Sequence, residues 1–124
     1  MSTEHPSPST LTDSEYQALT RAVLSGIEAH IDRWLQEDVI DIDSSRTGGL
    51  LELSFPNGSK MVINTQPPLH ELWLAARSGG FHFRYAGGRW VDTKSGQEFF
   101  AELSARASEQ AGRALVFEPP AVSS

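Results

Sequence analysis

The sequence predicts an α+β fold: a two-layer αβ sandwich in which two terminal helices pack on one face of a mostly antiparallel sheet of about six strands. Apolar residues recur every three or four positions near both ends of the chain, which is the spacing of amphipathic helices. Short alternating segments fill the middle and are separated by turn pairs such as Asn57-Gly58 and Gly87-Gly88. Such short connections favour antiparallel pairing of consecutive strands.

The first helix is predicted from about Asp13 to Trp34. Thr12 is suited to be its N-cap, and Glu15, three residues later, completes a capping box. An apolar stripe follows at helical spacing and is expected to face the sheet: Tyr16, Leu19, Val23, Ile27, Ile31 and Trp34.

The first strand is predicted at residues 39–43, "VIDID", with Ile40 and Ile42 inward and Asp41 and Asp43 outward. The five further strand segments are LLELSF, SKMVIN, PPLHELWLA, FHFRY and RWVD. In the PPLHELWLA segment the leucines alternate with Trp73, so that Trp73 is expected on the sheet face away from the helices.

The second helix is predicted to open at Ser95, with Glu98 three residues later as a second capping box. Gly112 is a suitable stop. Residues 114–117, "ALVF", are expected to pack back against the helices. The core face of this helix is expected to carry Phe99, Leu103 and Ala107.

The 124 residues fit one domain. We expect a disordered lead-in at residues 1–10, a folded domain at residues 11–117 and a disordered tail at residues 118–124. The absence of cysteine excludes a disulfide scaffold, a cysteine-based zinc site and a thiol nucleophile. No apolar run of about 18 residues is present, and the first ten residues lack signal-peptide features, so we expect a cytoplasmic protein with no membrane partner.

The negative charge of the chain is concentrated in one segment. Residues 13–43 carry eight acidic and two basic side chains, and 2 − 8 gives −6, which equals the net charge of the whole chain. This asymmetry favours a cation or a basic partner, and it argues against nucleic acid, which requires a basic surface.

The run NGSKMVINTQPPLHELWLAARSGGFHF, residues 57–83, resembles the frataxin family, in particular its bacterial CyaY type. The segments DSEYQAL, IEAHIDRW, DIDSSRTGGLLEL and SGQEFFAEL extend the resemblance, in order, over about Leu11 to Phe117. The matching positions of the central run are Asn57, Gly58, Asn64, Gln66, Pro68, Trp73, Leu74, Ala75, Gly79, Gly80, Phe81, His82 and Phe83.

The resemblance implies an αβ sandwich with a role in iron–sulfur cluster assembly. It implies weak binding of iron, Fe²⁺ or Fe³⁺, by surface carboxylates. It also implies that the chain binds the cysteine desulfurase and iron–sulfur scaffold complex and modulates sulfur transfer.

Carboxylates suit hard cations such as iron. Spread over a helix and a strand, they form an open surface rather than a closed site; a solvated face that only keeps the protein soluble is the alternative. Arg21, Ala29 and Arg33 stand where the family is often acidic, which predicts fewer or weaker iron sites. The expected weak iron ligands, called the acidic ridge below, are Glu28, Asp32, Glu37, Asp38, Asp41 and Asp43, with Asp13 and Glu15 as weaker candidates.

An exposed tryptophan flanked by amides resembles a protein-binding hot spot, although a half-buried tryptophan packed on its neighbours is the alternative. His70 is either a further iron ligand or an ordinary surface histidine, and no HExxH pair supports catalytic zinc. The expected partner-binding residues are Trp73, Asn64, Gln66, Glu28 and Asp32.

The leading interpretation is a non-enzymatic, iron-binding regulator of iron–sulfur cluster assembly. The alternatives are an iron donor or store (an iron chaperone), a weak ferroxidase, and an acidic interaction module that needs no metal. We expect a monomer, with iron-dependent oligomers left open. The sequence does not decide iron stoichiometry, iron affinity or the sign of regulation.

Overall fold

The computed structural model describes residues 11–120. The predicted lead-in at residues 1–10 and the last four residues of the predicted tail lie outside this range. The elements in chain order are α1 (Asp13–Gln36), β1 (Asp43–Thr47), β2 (Leu50–Ser54), β3 (Lys60–Gln66), a short 3₁₀ turn (Pro67–Leu69), β4 (Glu71–Ala76), β5 (Gly79–Ala86), β6 (Arg89–Asp92) and α2 (Phe99–Ala111).

The six strands form one antiparallel sheet in sequence order, from β1 at one edge to β6 at the other. Both helices pack on the same face of this sheet, and their buried residues join one core with the inward residues of the strands. The ring of Phe83 on β5, for example, meets that of Phe99 on α2 at 5.1 Å. The predicted two-layer sandwich is therefore confirmed.

The start of α1 is the predicted capping box. The Glu15 amide donates to Thr12 Oγ1 at 3.0 Å, and the Thr12 amide donates to Glu15 Oε1 at 2.9 Å. Of the predicted stripe, all members except the partly buried Leu19 are buried. The helix continues to Gln36, two residues beyond the prediction.

The predicted first strand at residues 39–43 is wrong, because β1 begins only at Asp43. The chain first reverses at Asp38, whose φ of 58° lies in the left-handed region, and the Val39 amide then bonds back to the Trp34 carbonyl at 2.8 Å. Arg113, from beyond α2, donates to the Val39 carbonyl. Ile42 is buried without being part of a strand.

The predicted start of the second helix at Ser95 is also wrong. Ser95 lies in a turn organised by Asp92, whose Oδ1 accepts its amide at 3.0 Å. Glu98 is itself the N-cap and accepts the amides of Phe100 and Ala101 at 2.9 and 3.0 Å. The end of α2 is as predicted, with Gly112 in the left-handed conformation that glycine adopts without strain.

The segment after α2 packs back as predicted, with Leu115 and Phe117 buried. Ser108 and Ser104 on α2 accept their amides at 2.8 and 2.9 Å. Within the predicted tail, the Glu118 amide still contacts α1 by donating to a ring nitrogen of His30 at 3.3 Å.

Tyr16 joins α1 to the sheet. It is fully buried, and its hydroxyl donates to the Glu71 carbonyl at 2.6 Å and accepts the Gln66 amide at 2.9 Å. One hydroxyl therefore satisfies the last amide of β3 and the first carbonyl of β4 together.

We expect Tyr16→Phe to lower the free energy of unfolding by about 1–3 kcal/mol, because it leaves the Gln66 amide and the Glu71 carbonyl without this partner in the protein interior. Urea unfolding followed by circular dichroism measures this. A change within error of zero would show that water replaces the hydroxyl without loss.

Burial raises the pKa of Tyr16 above its ordinary value of 10.0, mainly because the phenolate is poorly solvated there. The folded state then holds this proton more tightly than the unfolded state. The stabilisation is fully present below the ordinary pKa and is lost as the pH rises through the raised pKa. Urea unfolding from about pH 8 to about pH 11 should show this loss, and the Tyr16→Phe variant should lack that component.

Candidate functional site

The acidic ridge follows one edge of the molecule. Arg46 on β1 reaches Glu28 at 2.7 Å and Ser25 at 3.2 Å on α1, so that β1 runs back along the helix. Strands rise about 3.3 Å per residue, and Asp43 therefore lies roughly 10 Å from Arg46, towards the C-terminal end of α1 that carries Asp32. The remaining ridge residues belong to the connection between these two elements.

Five of the six ridge residues are exposed, and Glu28 is half-buried. Within residues 11–120 no group of three or more acidic or histidine side chains is arranged to hold a metal ion. The ridge is thus an open carboxylate surface, which suits loose association of a cation better than chelation. Which of its members bind iron stays a prediction.

The weaker candidates lie away from the ridge. Asp13 Oδ1 lies 2.8 Å from His70 Nε2, which is hydrogen-bonding distance. Glu15 is engaged in the capping box. Helical rise places Asp13 about 22 Å along α1 from Glu28, so Asp13 and Glu28 do not belong to the same surface patch. His70 stacks on Tyr16 at 4.8 Å and likewise belongs to this other end of α1.

Arg46 is a functional neighbour that the sequence reasoning missed. Its guanidinium forms an ion pair with Glu28, which offsets part of the ridge charge. The signal was the alternation of β1: Arg46 pairs with the buried Leu51 and therefore points towards the helices. Because the first strand was predicted four residues too early, the sequence reasoning did not treat Arg46 as a strand residue and did not predict which way it points.

The sheet face away from the helices, called the open face, carries the predicted amide and indole groups. Asn64, Trp73 and His82 are direct neighbours across β3, β4 and β5. Gln66 lies two residues beyond Asn64 and shares its face. Leu72 and Leu74 are buried on the opposite side, which confirms the predicted orientation of Trp73.

The indole of Trp73 is half-buried and held from two sides. Its Nε1–H donates to Glu71 Oε1 at 2.8 Å. Its ring stacks on that of His82, with 4.1 Å between the ring centroids and an angle of 8° between the ring planes. Arg84 approaches the other oxygen of Glu71 at 3.5 Å. The sequence reasoning left Glu71 and Arg84 without a role at this site.

The ridge and the open face meet at β1. Because Arg46 points to the helices, Asp43 and Ser45 point to the open face in the alternation of a strand. Leu50, next to β1, adds an apolar group that is 39% exposed. A single partner could therefore contact ridge carboxylates and open-face side chains together.

Neither helix of the described residues is long and apolar enough to cross a membrane.

Comparison with known proteins agrees with this architecture. Residues 9–113 match the family model of the Frataxin-like domain. The "Iron-sulfur cluster assembly protein CyaY" of Polaromonas sp. (strain JS666) is 51% identical over 110 residues, which cover 89% of this chain and 95% of the relative.

Two solved structures are similar in fold and sequence. The frataxin of Psychromonas ingrahamii superposes with a TM-score of 0.76 at 38% identity, covering 87% of this chain and 99% of that one. A trimeric frataxin from the yeast Saccharomyces cerevisiae, complexed with ferrous iron, gives a TM-score of 0.52 at 25% identity over 71% of this chain and 87% of that one.

We expect Arg46→Gln to strengthen cation binding at the ridge about two- to fivefold, because one positive charge is removed beside the carboxylates in water-exposed surroundings. Titration with Mn²⁺, followed by broadening of amide resonances, measures this. Arg89→Gln, which removes the same charge at the opposite edge of the sheet, is the matched control. Equal effects of the two variants would mean that only net charge matters.

Proposed function

The chain belongs to the frataxin family, in its CyaY type, which is involved in iron–sulfur cluster assembly, and from this premise we propose that it is an iron-binding regulator of that assembly. It binds the cysteine desulfurase–scaffold complex through the acidic ridge and the open face. It acts in the bacterial cytoplasm as a monomer and is not an enzyme. The observation that carries the proposal is the junction of the two surfaces at β1.

The ridge supports the part of the proposal that concerns iron. Five exposed carboxylates on adjacent elements attract a hydrated cation without enclosing it, so iron is bound weakly and exchanges readily. The yeast frataxin complexed with ferrous iron is similar to this chain in fold and sequence, which favours iron over other cations. Iron is in this role an effector or cargo rather than a resident cofactor.

The open face supports the part that concerns the partner. Trp73 is half-buried within the free protein, yet Asn64 beside it on β3 and Leu50 beyond Asn64 on β2 leave polar and apolar groups for a contact. Tryptophan is enriched among residues that dominate binding energy. The ridge adds charge complementarity with a basic partner, which speeds encounter and weakens with salt.

An iron donor or store is the second candidate, because the similar yeast frataxin is trimeric and holds ferrous iron. The deciding experiment titrates the chain into a desulfurase–scaffold cluster-assembly assay at several iron concentrations. A regulator changes desulfurase turnover even when iron is in excess, whereas a donor acts only when iron limits. Oxygen consumption with catalytic turnover on Fe²⁺ would instead favour a ferroxidase, and binding unaffected by iron would favour a plain interaction module.

We expect Trp73→Arg to keep the fold and to weaken binding to the desulfurase–scaffold complex at least tenfold, the effect typical of a lost hot spot. Pull-down and calorimetry measure the affinity, and circular dichroism checks the fold. Ala105→Arg, an exposed position on α2, introduces the same charge on the helix layer and serves as the control. Unchanged binding by Trp73→Arg would remove the open face from the proposal.

A further inference from the structure

We infer that Glu71 is a positioning residue that holds the Trp73 indole in the orientation in which it docks. The carboxylate receives the indole N–H at 2.8 Å, and His82 supports one ring face by stacking at 4.1 Å. The inference rests on the proposed function, because it assigns a purpose to the way in which the open face is built.

Glu71 is nearly buried, with 9% of its surface exposed, and among the acids of residues 11–120 it shares this with Asp92, which lies at the end of β6 before the turn that leads to α2. A buried carboxylate is costly unless it is paired and hydrogen-bonded. Its two oxygens are divided between the Trp73 indole and the Arg84 guanidinium, at 2.8 and 3.5 Å. Glu71 therefore connects one aromatic and one cationic side chain of the open face.

The backbone of Glu71 is fixed independently of its side chain. Its carbonyl accepts the Tyr16 hydroxyl at 2.6 Å, and the residue pairs with Gln66 and Arg84 across the sheet. The carboxylate is thus attached to a rigid part of the fold. A support of this kind limits the rotation of the side chain that it holds.

The consequence is that Trp73 loses little rotational freedom when a partner arrives. Ordering a free side chain at an interface lowers affinity about two- to tenfold, and here that ordering is already present in the free protein. The indole N–H is also engaged, so a partner meets the apolar ring rather than a hydrogen-bond donor. The partner group that fits this ring is an apolar or planar side chain.

Three variants separate support of the indole from other effects. Glu71→Leu has a similar size and no acceptor. Glu71→Gln keeps an oxygen acceptor for the indole and loses the ion pair with Arg84. Arg84→Gln loses the ion pair and keeps the bond between Glu71 and the indole.

The first readout needs no partner. The Trp73 indole ¹H–¹⁵N resonance and its nuclear Overhauser contacts to the His82 ring report the geometry in the free protein. We expect Glu71→Leu to shift this resonance and weaken these contacts, and we expect the two glutamine variants to retain them. An unchanged indole resonance in Glu71→Leu would overturn the inference whatever the binding result.

The second readout is affinity for the purified desulfurase–scaffold complex. We expect Glu71→Leu to bind about two- to tenfold more weakly, which corresponds to ordering one side chain, and Glu71→Gln to restore most of the loss. If Trp73→Arg weakens binding while Glu71→Leu frees the ring without effect, the inference fails and the proposed docking face stands. If neither Trp73→Arg nor Glu71→Leu affects binding, the docking face fails and the inference fails with it.

Discussion

The buried hydroxyl of Tyr16 links the two surfaces that the proposed function needs. It bonds to the end of β3 and to the beginning of β4, at Gln66 and Glu71, while its own helix carries Glu28 and Asp32 of the acidic ridge. Since β4 also carries Trp73, the placement of the ridge relative to the open face depends on how α1 is tied to these strands. His70 and Trp90 pack around the same ring, which is fully buried.

The distribution of charge works against local stability. Several carboxylates lie at the C-terminal end of α1, where the helix dipole favours cations, and each such placement costs about 0.3–1 kcal/mol when exposed. Arg33 in the last turn and Arg46 from β1 offset part of this charge. The apolar core beneath the helix supplies the compensating stability, so the edge can carry like charges that repel one another. A surface of this kind is suited to attract cations and basic partners rather than to strengthen the fold.

The open face shows a different use of charge. The Glu71 carboxylate and the Arg84 guanidinium are close to one another on the sheet, and the carboxylate is nearly desolvated. Glu71 bonds the Trp73 indole and Arg84 pairs with Glu71, so that the indole is restricted to one of the rotamers that a sheet surface allows. In the proposed function the ridge therefore provides long-range attraction, which salt weakens, and the open face provides a shaped contact, which salt affects much less.

The sequence by itself determined the capping box of α1, the antiparallel sheet and the side on which Trp73 lies, because these follow from local hydrogen bonds, short turns and the two-residue period of a strand. It failed at residues 39–43 and at Ser95, where contacts from Arg113 and Asp92 override a local pattern. Only the tertiary structure decided that Arg46 meets Glu28, that Asp13 is remote from the ridge and that Glu71 holds the indole. The first two depend on how a helix crosses the sheet, and the third on the rotamers of neighbouring side chains, which strand periodicity leaves undetermined.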